Sequence, residues 1–350
     1  FKIEKKINNK LSQMYGKKVY IKLHEPNLSK SDLKEVNRSI KNNYVSTIGN
    51  VVKLFEKELK KVTKSKYVIT TVNGTTAIHL AVILSKTKPN EEILMPTLNY
   101  IASANATMYC NAVPHFLDID RETLTIDPIK LEKYLSRNTI IKNKQCFNKK
   151  TKRKITAIIV LHPFGHPAKM DKIIKISKKF KLFVIEDAAE SLGSYYLNKH
   201  TGTFGNVGIL SFNGNKIITT GGGGALLTNS AKLAKKALHL ISNSKINHKW
   251  KYNYDQVGYN YKMPGINAAL GLSQIKKLKL FLKSKRALYN KYNNLFKDID
   301  EVKVLREPKN SKSNYWLQTI LIKNNSIQNR DYIIDRLNKS GFAVRPVWTL

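Results

Sequence analysis

Residues 67–84 read YVITTVNGTTAIHLAVIL, and this stretch decides the fold class. It begins with a short β-branched run over 67–72 and passes through the turn Asn73-Gly74-Thr75-Thr76. From 77 to 84, apolar residues recur at helical spacing. A strand, a glycine turn and a helix in that order form the repeating unit of α/β proteins. The sequence therefore predicts an α/β fold.

The same alternation continues on both sides of this stretch. The predicted strands are short, nearly uninterrupted apolar runs, and they span 92–95, 113–117, 155–161, 182–185 and 208–212. The predicted helices have apolar residues at helical spacing, and they span 31–40, 51–62, 102–110 and 171–180. Such strands between helices are typical of a mostly parallel sheet that is covered by helices on both faces.

Two parts of the chain depart from this alternation. Residues 138–154 are basic and polar, and we interpret them as a surface insertion or loop without chemistry of its own. The predicted elements beyond residue 245 are a long helix over 268–286, a strand over 316–322 and a helix over 330–340.

These elements suggest how the chain is divided. We expect an N-terminal segment over 1–30, a large domain over 31–245 and a smaller C-terminal α/β domain over 246–350. Because the chain begins at Phe1 and stops within an apolar run at Leu350, we expect both ends to be cropped.

Composition narrows the class of protein. The formal charge is +38, but lysine outnumbers arginine 53 to 9 and the basic residues are spread along the chain. Arginine clusters that could read base edges are missing from the sequence, so we expect no specific nucleic-acid partner. A positive field would instead attract an anionic substrate.

The cysteines and the apolar runs bear on compartment and metal binding. Cys110 and Cys146 lack C-x-x-C spacing, so we expect free thiols, a reducing compartment and no metal site. No apolar run reaches the roughly 18 residues that span a bilayer. We expect a soluble, cytoplasmic protein without a membrane partner.

Open α/β sheets bind ligands where the carboxyl ends of their strands meet loops, and three such places carry candidate residues. In the turn 73–76, backbone N–H groups and hydroxyls could hold a phosphate, or the turn could simply join a strand to a helix. In the segment 185–190, IEDAAE, Asp187 could pair with the protonated ring nitrogen of a cofactor, or it could cap the next helix.

The third place is the segment 211–224, SFNGNKIITTGGGG, in which Lys216 follows a strand. Among 53 lysines, Lys216 alone could be a solvated charge, but four consecutive glycines indicate a close backbone approach or positive φ. A G-x-G-x-x-G match within the run does not lie between a strand and a helix, so we discount a dinucleotide site. We interpret His162 and His166 as structural residues.

In this order, the segments resemble those of the DegT/DnrJ/EryC1/StrS family, the nucleotide-sugar aminotransferases of fold type I, which use pyridoxal 5'-phosphate (PLP). The resemblance runs from Leu23-His24-Glu25-Pro26 to Arg345-Pro346-Val347-Trp348. Its most specific part is the segment 211–224, which is similar to the branch that makes 4-amino sugars for legionaminic-acid-type glycans. The fold implied for residues 31–245 is a large PLP-binding domain.

The resemblance also implies roles for single residues. Lys216 would hold PLP covalently and then move protons, Asp187 would pair with the pyridine nitrogen, and Glu190 would lie near the phenolic oxygen. The residues implied for cofactor binding beside these three are Gly74, Thr75 and Ser211 on the phosphate, and Tyr100 stacked on the ring.

The segment 258–264, GYNYKMP, resembles one that reaches into the neighbouring subunit's site, with Asn260 on the phosphate. This implies an obligate homodimer with shared active sites. Relatives usually have Arg where this chain has Lys262. Because a lysine is a point charge and lacks the bidentate fork of arginine, we do not count Lys262 as a site residue.

The implied activity is transfer of an amino group from L-glutamate to the C4 ketone of a nucleotide-linked 6-deoxy sugar. The partners would then be a nucleotide sugar and an amino-acid donor. Two alternatives use the same fold. One is a PLP-binding sugar dehydratase, whose branch carries His where this chain has Lys216. The other is a non-catalytic regulatory relative, which would need none of Lys216, Asp187 and Glu190 together.

Overall fold

The computed structural model describes residues 2–16, 20–47, 49–323 and 326–349. Phe1 and Leu350, on which the expectation of cropped ends was based, lie outside these residues. The helices are α1 (Lys2–Tyr15), α2 (Lys30–Lys41), α3 (Val51–Thr63), α4 (Gly74–Leu84), α5 (Ala102–Tyr109), α6 (Pro128–Asn138), α7 (Met170–Lys179), α8 (Ala231–Leu240), α9 (Gly265–Lys276), α10 (Leu278–Leu295) and α11 (Ile327–Lys339).

The strands follow the same numbering along the chain. They are β1 (Tyr67–Thr71), β2 (Glu92–Pro96), β3 (Val113–Leu117), β4 (Thr139–Lys142), β5 (Gln145–Asn148), β6 (Lys154–Leu161), β7 (Phe183–Asp187), β8 (Tyr195–Tyr196), β9 (Lys199–His200), β10 (Val207–Ser211), β11 (Gly224–Thr228), β12 (Val302–Val304), β13 (Ser311–Lys312) and β14 (Ile320–Ile322).

A large central sheet organises the molecule. Its main path has the order β1-β11-β10-β7-β6-β2-β3. The four pairs from β10 to β3 are parallel, whereas β11 runs antiparallel to both of its neighbours. The predicted α/β class with a mostly parallel sheet is therefore confirmed. The strand β11 was not predicted, because its sequence directly continues the glycine run 221–224.

Helices pack on both faces of this sheet, as its apolar strands require. On one face, α4, α5 and α8 pack against alternate residues such as Ile69, Ile185 and Ile209. On the other face, α3 and α9 pack against β1, β10 and β11, and α6 and α7 pack against β2, β6 and β7. Because the strands are parallel from β10 to β3, their carboxyl ends meet at one edge, and that edge positions the site.

Residues 138–154 are mostly exposed, as a surface insertion would be, but they are not a loop, so that alternative was wrong. They contain the hairpin β4–β5, and β5 pairs with β6 of the large sheet. The hairpin turns at Asn143 and Lys144, both of which have positive φ, as a two-residue turn of the type favoured in hairpins requires. Asn148 and Thr151 also donate hydrogen bonds to the buried carboxylate of Glu92.

Two elements of the C-terminal part differ from the prediction. The helix expected over 268–286 is divided at Lys277, whose N–H donates to Gln274 O, three residues back. The side chains of Gln274 and Lys277 both bind Asp32 of α2, which fixes this break. The strand expected over 316–322 begins only at Ile320, because the Trp316 N–H donates to the Asn314 side chain.

A separate apolar cluster lies in the C-terminal part of the chain. It joins α10, α11 and β12 with Ile7 and Leu11 of α1, so the N-terminal helix packs with C-terminal elements. The division of the chain at residues 30 and 245 stays a prediction. Cys110 and Cys146 are free thiols. In the part of the chain that the structure describes, no helix combines the length and apolarity needed to cross a membrane.

Candidate active site

The carboxyl edge of the large sheet brings together residues from distant parts of the sequence. The strand β7 ends at Asp187, β10 ends at Ser211, and the turn after β1 opens α4 at Gly74. Lys216 lies in the loop that follows β10, and Glu190 follows β7 by three residues. All but two of the predicted site residues, Tyr100 and Asn260, come from these three connections.

Lys216 is held between a carboxylate and an aromatic ring. Its Nζ lies 3.4 Å from Glu190 Oε1 and 3.9 Å from the centroid of the Trp316 ring. The Trp316 ring is fixed in turn, because its Nε1–H donates to Asn215 O at 2.6 Å. The Lys216 side chain is 13% exposed, so its amine is reachable from a cavity but largely shielded from water.

Asp187 is a buried carboxylate with few hydrogen-bond donors. Its Oδ2 accepts from Ser103 Oγ at 3.0 Å, and its Oδ1 accepts from the Ala189 N–H at 3.2 Å. Burial raises the pKa of Asp187 above its usual value, although these two donors and the charge of Lys216 oppose the change. A protonated ring nitrogen placed against this carboxylate would supply the missing charge.

Glu190 is also buried, and it contacts the lysine directly. Besides Lys216, its carboxylate accepts from the Phe164 N–H at 2.8 Å. Burial raises the pKa of Glu190 to about 7, and the positive charge of Lys216 offsets this only in part. Phe164 has φ +57°, a conformation that bulky residues rarely adopt.

A close approach between Gly74 and Ser211 forms a candidate phosphate cradle. A Cβ atom added to Gly74 would lie 3.0 Å from Ser211 Cβ and 3.2 Å from its Oγ, so a side chain here would crowd Ser211. Gly74 and Thr75 begin α4, whose first N–H groups have no partners within the helix and suit an anion. Asn73 Oδ1 accepts from the Thr76 N–H and completes the cap.

The glycine run 221–224 has a steric explanation at its last residue. A Cβ atom added to Gly224 would lie 2.4 Å from Asn73 O, so β11 passes directly against the start of α4. Gly224 therefore lets the strand and the cradle lie side by side.

Tyr100 and Asn260 lie at the margins of the site. Tyr100 is 53% exposed, and its ring meets Trp348 edge to face at a centroid distance of 6.2 Å. Trp348 also stacks on Phe164 at 5.1 Å. Asn260 is exposed, and its backbone forms an isolated antiparallel bridge with Ser242. The structure therefore groups Tyr100 with Trp348 and Phe164. It leaves Asn260 outside the cluster around Lys216.

The histidines expected to be structural both lie in the interior. His162 Nδ1 accepts from the Ala168 N–H, so its Nε2–H donates to Glu186. His166 is buried with its ring against Tyr315, and burial lowers its pKa to about 4. Lys262 forms a backbone bridge with Thr71.

Three residues of the site were missed at the level of sequence. Ser103 could have been suspected, because it lies in a helix of small residues, ASANAT, that follows β2 and must pack closely on the sheet. The Phe164 N–H and the Trp316 ring carry no such signal, because only the folded chain brings them to Glu190 and Lys216.

These residues fit PLP. The cradle at Gly74 and Ser211 would hold its phosphate, Asp187 would bind its ring nitrogen, and Lys216 offers the amine to which it attaches. The fit rests on features of the fold itself: the close approach of Gly74 to Ser211 and the shortage of donors around Asp187.

Comparison with known proteins shows the family to which the chain belongs. The sequence profile of the DegT/DnrJ/EryC1/StrS aminotransferase family matches residues 26–350. GDP-perosamine synthase of Escherichia coli O157:H7 is 34% identical over 333 residues, which cover 95% of this chain and 86% of that protein. UDP-4-amino-4,6-dideoxy-N-acetyl-beta-L-altrosamine transaminase of Campylobacter jejuni is 29% identical, covering 91% of this chain and 81% of its own.

A solved structure shares the whole architecture. Helicobacter pylori PseC, an aminotransferase involved in the biosynthesis of pseudoaminic acid, superimposes with a TM-score of 0.84 at 26% identity. The superposition covers 95% of this chain and 85% of PseC. The chain therefore belongs to the DegT/DnrJ/EryC1/StrS aminotransferase family, and its cofactor is PLP.

Proposed function

We propose that this protein transfers an amino group from L-glutamate to C4 of a nucleotide-linked 4-keto-6-deoxy sugar, for a legionaminic-acid-like surface glycan. The observation that carries the proposal is the convergence of Lys216, Asp187 and Glu190 at one edge of the sheet. The Campylobacter jejuni relative supports the choice of sugar, because its name describes a nucleotide-linked 4-amino-4,6-dideoxy product. The family profile, which reaches from residue 26 to 350, supports the reaction class.

When bound, PLP supplies an electron sink for the electron pair that is released as the proton beside the transferred nitrogen is removed. In this proposal Lys216 Nζ carries that proton away and returns it, and the Trp316 ring and Glu190 hold the amine in place. Asp187 keeps a proton on the pyridine nitrogen. Glu190 is poised to exchange a proton at neutral pH, because burial raises its pKa to about 7.

The test is the absorbance spectrum of the PLP-loaded protein before and after addition of L-glutamate, beside Lys216→Ala. We expect a visible band that glutamate bleaches in the wild type, and no such band in Lys216→Ala. A matched control is Lys172→Ala, which removes an exposed lysine of α7 and should leave the band and its bleaching unchanged. A wild-type band that ignores every amino donor would exclude an aminotransferase and favour the non-catalytic alternative.

We also propose that the active sites are shared within a homodimer, with Asn260 reaching the phosphate in the partner's site. The proposal is supported by the loop before Asn260, which exposes several large apolar side chains. These residues are Trp250, Tyr252, Tyr254 and Val257, each more than half exposed.

Mixing two inactive variants tests this arrangement. Lys216→Ala removes the amine, and Asn260→Asp would place a carboxylate against the phosphate of the other site. If sites are shared, random mixing gives mixed dimers with one intact site and restores about a quarter of wild-type activity. Activity that stays absent after subunit exchange, or a monomer by sedimentation, contradicts the shared site.

A further inference from the structure

A cavity of about 410 Å³ opens beside Lys216. The N-terminal segment 21–27, α10 and residues 316–320 enclose it. Its lining includes polar groups besides Lys216, and those used below are His24, Lys285 and Gln318. The remainder is lined by side chains of the C-terminal apolar cluster, including Leu11 and Phe296.

The polar part of this cavity is cationic. Lys285 Nζ donates to Trp316 O at 3.0 Å, and it forms no ion pair with a carboxylate of the described residues. Burial lowers the pKa of Lys285 to about 8. Two carboxylates lie near the cavity, but each has a lysine already: Glu25 pairs with Lys22 and Glu190 pairs with Lys216.

His24 and Gln318 each have a buried polar atom that could form a further hydrogen bond. His24 Nδ1 and Gln318 Oε1 are buried, and neither finds a partner among residues 2–16, 20–47, 49–323 and 326–349. Burial first, and then the charges of Lys285 and Lys216, lower the pKa of His24 to about 4. The histidine is therefore neutral at physiological pH, and one of its nitrogens can donate to a ligand.

Trp316 connects this group to the chemistry. Its ring lies 3.9 Å from Lys216 Nζ, while its carbonyl accepts from Lys285 Nζ. Lys216 and Lys285 therefore contact the same residue, one at its ring and the other at its carbonyl. Burying the Lys285 ammonium without a carboxylate partner is unfavourable, so an anion that binds here would stabilise it.

We propose that Lys285, with His24 beside it, binds a carboxylate of the L-glutamate that donates the amino group. This inference rests on the proposed function, in which the donor gives up its nitrogen next to Lys216. In this proposal the carboxylate lies at the cationic end, where Lys285 attracts it, and the methylene groups of the donor pack on the Trp316 side of the cavity. A lysine at this position binds one carboxylate oxygen as a point charge.

Binding of glutarate, a dicarboxylate without an amino group, tests the site apart from turnover. Isothermal titration of the PLP-loaded protein should give a Kd at least about 10-fold weaker in Lys285→Met, because a charge-assisted hydrogen bond is lost. Lys285→Arg should recover part of the affinity. The matched control is Lys283→Met on the exposed side of the same helix, and it should bind like the wild type. Equal glutarate affinity in the wild type and Lys285→Met overturns the inference.

Bleaching of the visible band by L-glutamate separates this inference from the proposed function. If wild type and Lys285→Met reach half bleaching at the same glutamate concentration, the function stands and the carboxylate site is wrong. If glutarate binding depends on Lys285 but no amino acid bleaches the band, the anion site stands and the aminotransferase proposal falls. We expect bleaching in both proteins, with half bleaching at a concentration at least about 10-fold higher in Lys285→Met.

Discussion

Glu186 and Asp187 are consecutive buried carboxylates at the end of β7, and they differ in the number of hydrogen bonds that they accept. Glu186 accepts four hydrogen bonds, from the N–H groups of Gly202, Phe204 and Gly205 and from His162. Asp187 accepts two, from Ser103 and from the Ala189 N–H. Successive residues of a strand point to opposite faces, so one carboxylate faces a loop and the other faces the site.

The difference in hydrogen bonding distinguishes a carboxylate that the protein satisfies by itself from one that a ligand can satisfy. A buried carboxylate is stabilised when hydrogen-bond donors surround it, and four donors surround Glu186. At Asp187 and Glu190 the donors are too few to compensate for burial, and the pKa of each is raised. The ring nitrogen of PLP would supply the donor that the protein leaves out beside Asp187.

The largest expected effect is on activity at the face of Asp187. Asp187→Asn keeps the shape and the Ser103 contact but removes the charge that holds the ring proton, so transamination should fall about 10²–10³-fold. Because the charge is poorly compensated without PLP, the unfolding free energy of the PLP-free variant should not decrease. Steady-state rates and urea unfolding measure the two quantities, and near-normal activity would mean that Asp187 is only a structural residue.

The opposite result is expected on the other face. Glu186→Gln places an amide NH₂ against backbone N–H groups, so the unfolding free energy should fall by about 3 kcal/mol. Urea unfolding of the PLP-free protein measures this loss. A loss below about 1 kcal/mol would show that the two faces do not differ as described.

The raised pKa of Glu190 predicts how stability depends on pH. Because the folded protein holds this proton more tightly than the unfolded chain, the carboxyl stabilises the fold at low pH. That contribution should be lost as the pH rises from about 4.5 toward the folded pKa of about 7. The difference in unfolding free energy between the PLP-free wild type and Glu190→Gln should follow this decline, and a pH-independent difference would contradict the raised pKa.

The smallest effect is expected at the opposite end of the sheet. Glu92 is buried, yet hydrogen bonds from Thr151, Asn148 and His115 outweigh burial and lower its pKa. Thr151→Val removes one donor of three and should cost about 1 kcal/mol of unfolding free energy, with no effect on the spectrum of bound PLP. Lys150→Ala on the same turn is the control. An altered PLP spectrum in Thr151→Val would contradict the expectation that Glu92 and the site, at opposite ends of the sheet, act independently.

Local patterns allowed much of the fold to be predicted. The unit from β1 to α4 combines a β-branched run, the Asn73 cap and helical spacing, and each signal lies within a few residues. The hairpin β4–β5 was missed because lysine and asparagine interrupt its alternation. The signal that could have found it was the Asn143-Lys144 pair between Ile140-Ile141 and Cys146-Phe147.

The site was predictable only in part. Lys216 and Asp187 were singled out because their segments resemble a known family, and the loops after β7 and β10 lie where ligands bind in such sheets. The Trp316 ring, the Phe164 N–H and Lys285 reach the site from other elements. No periodicity or motif indicates these contacts: Phe164 lies in the loop after β6, whereas Trp316 and Lys285 reach the site through the packing of the C-terminal elements against the large sheet.

The most direct test of this account is the protonation state of the pyridine nitrogen in the bound cofactor. The ¹⁵N chemical shift of PLP labelled at the ring nitrogen should report a protonated nitrogen in the wild type at neutral pH. In Asp187→Asn the same nitrogen should be unprotonated, while Glu186→Gln should leave it protonated. An unprotonated nitrogen in the wild type would contradict the claim that the Asp187 face is left short of donors for the cofactor.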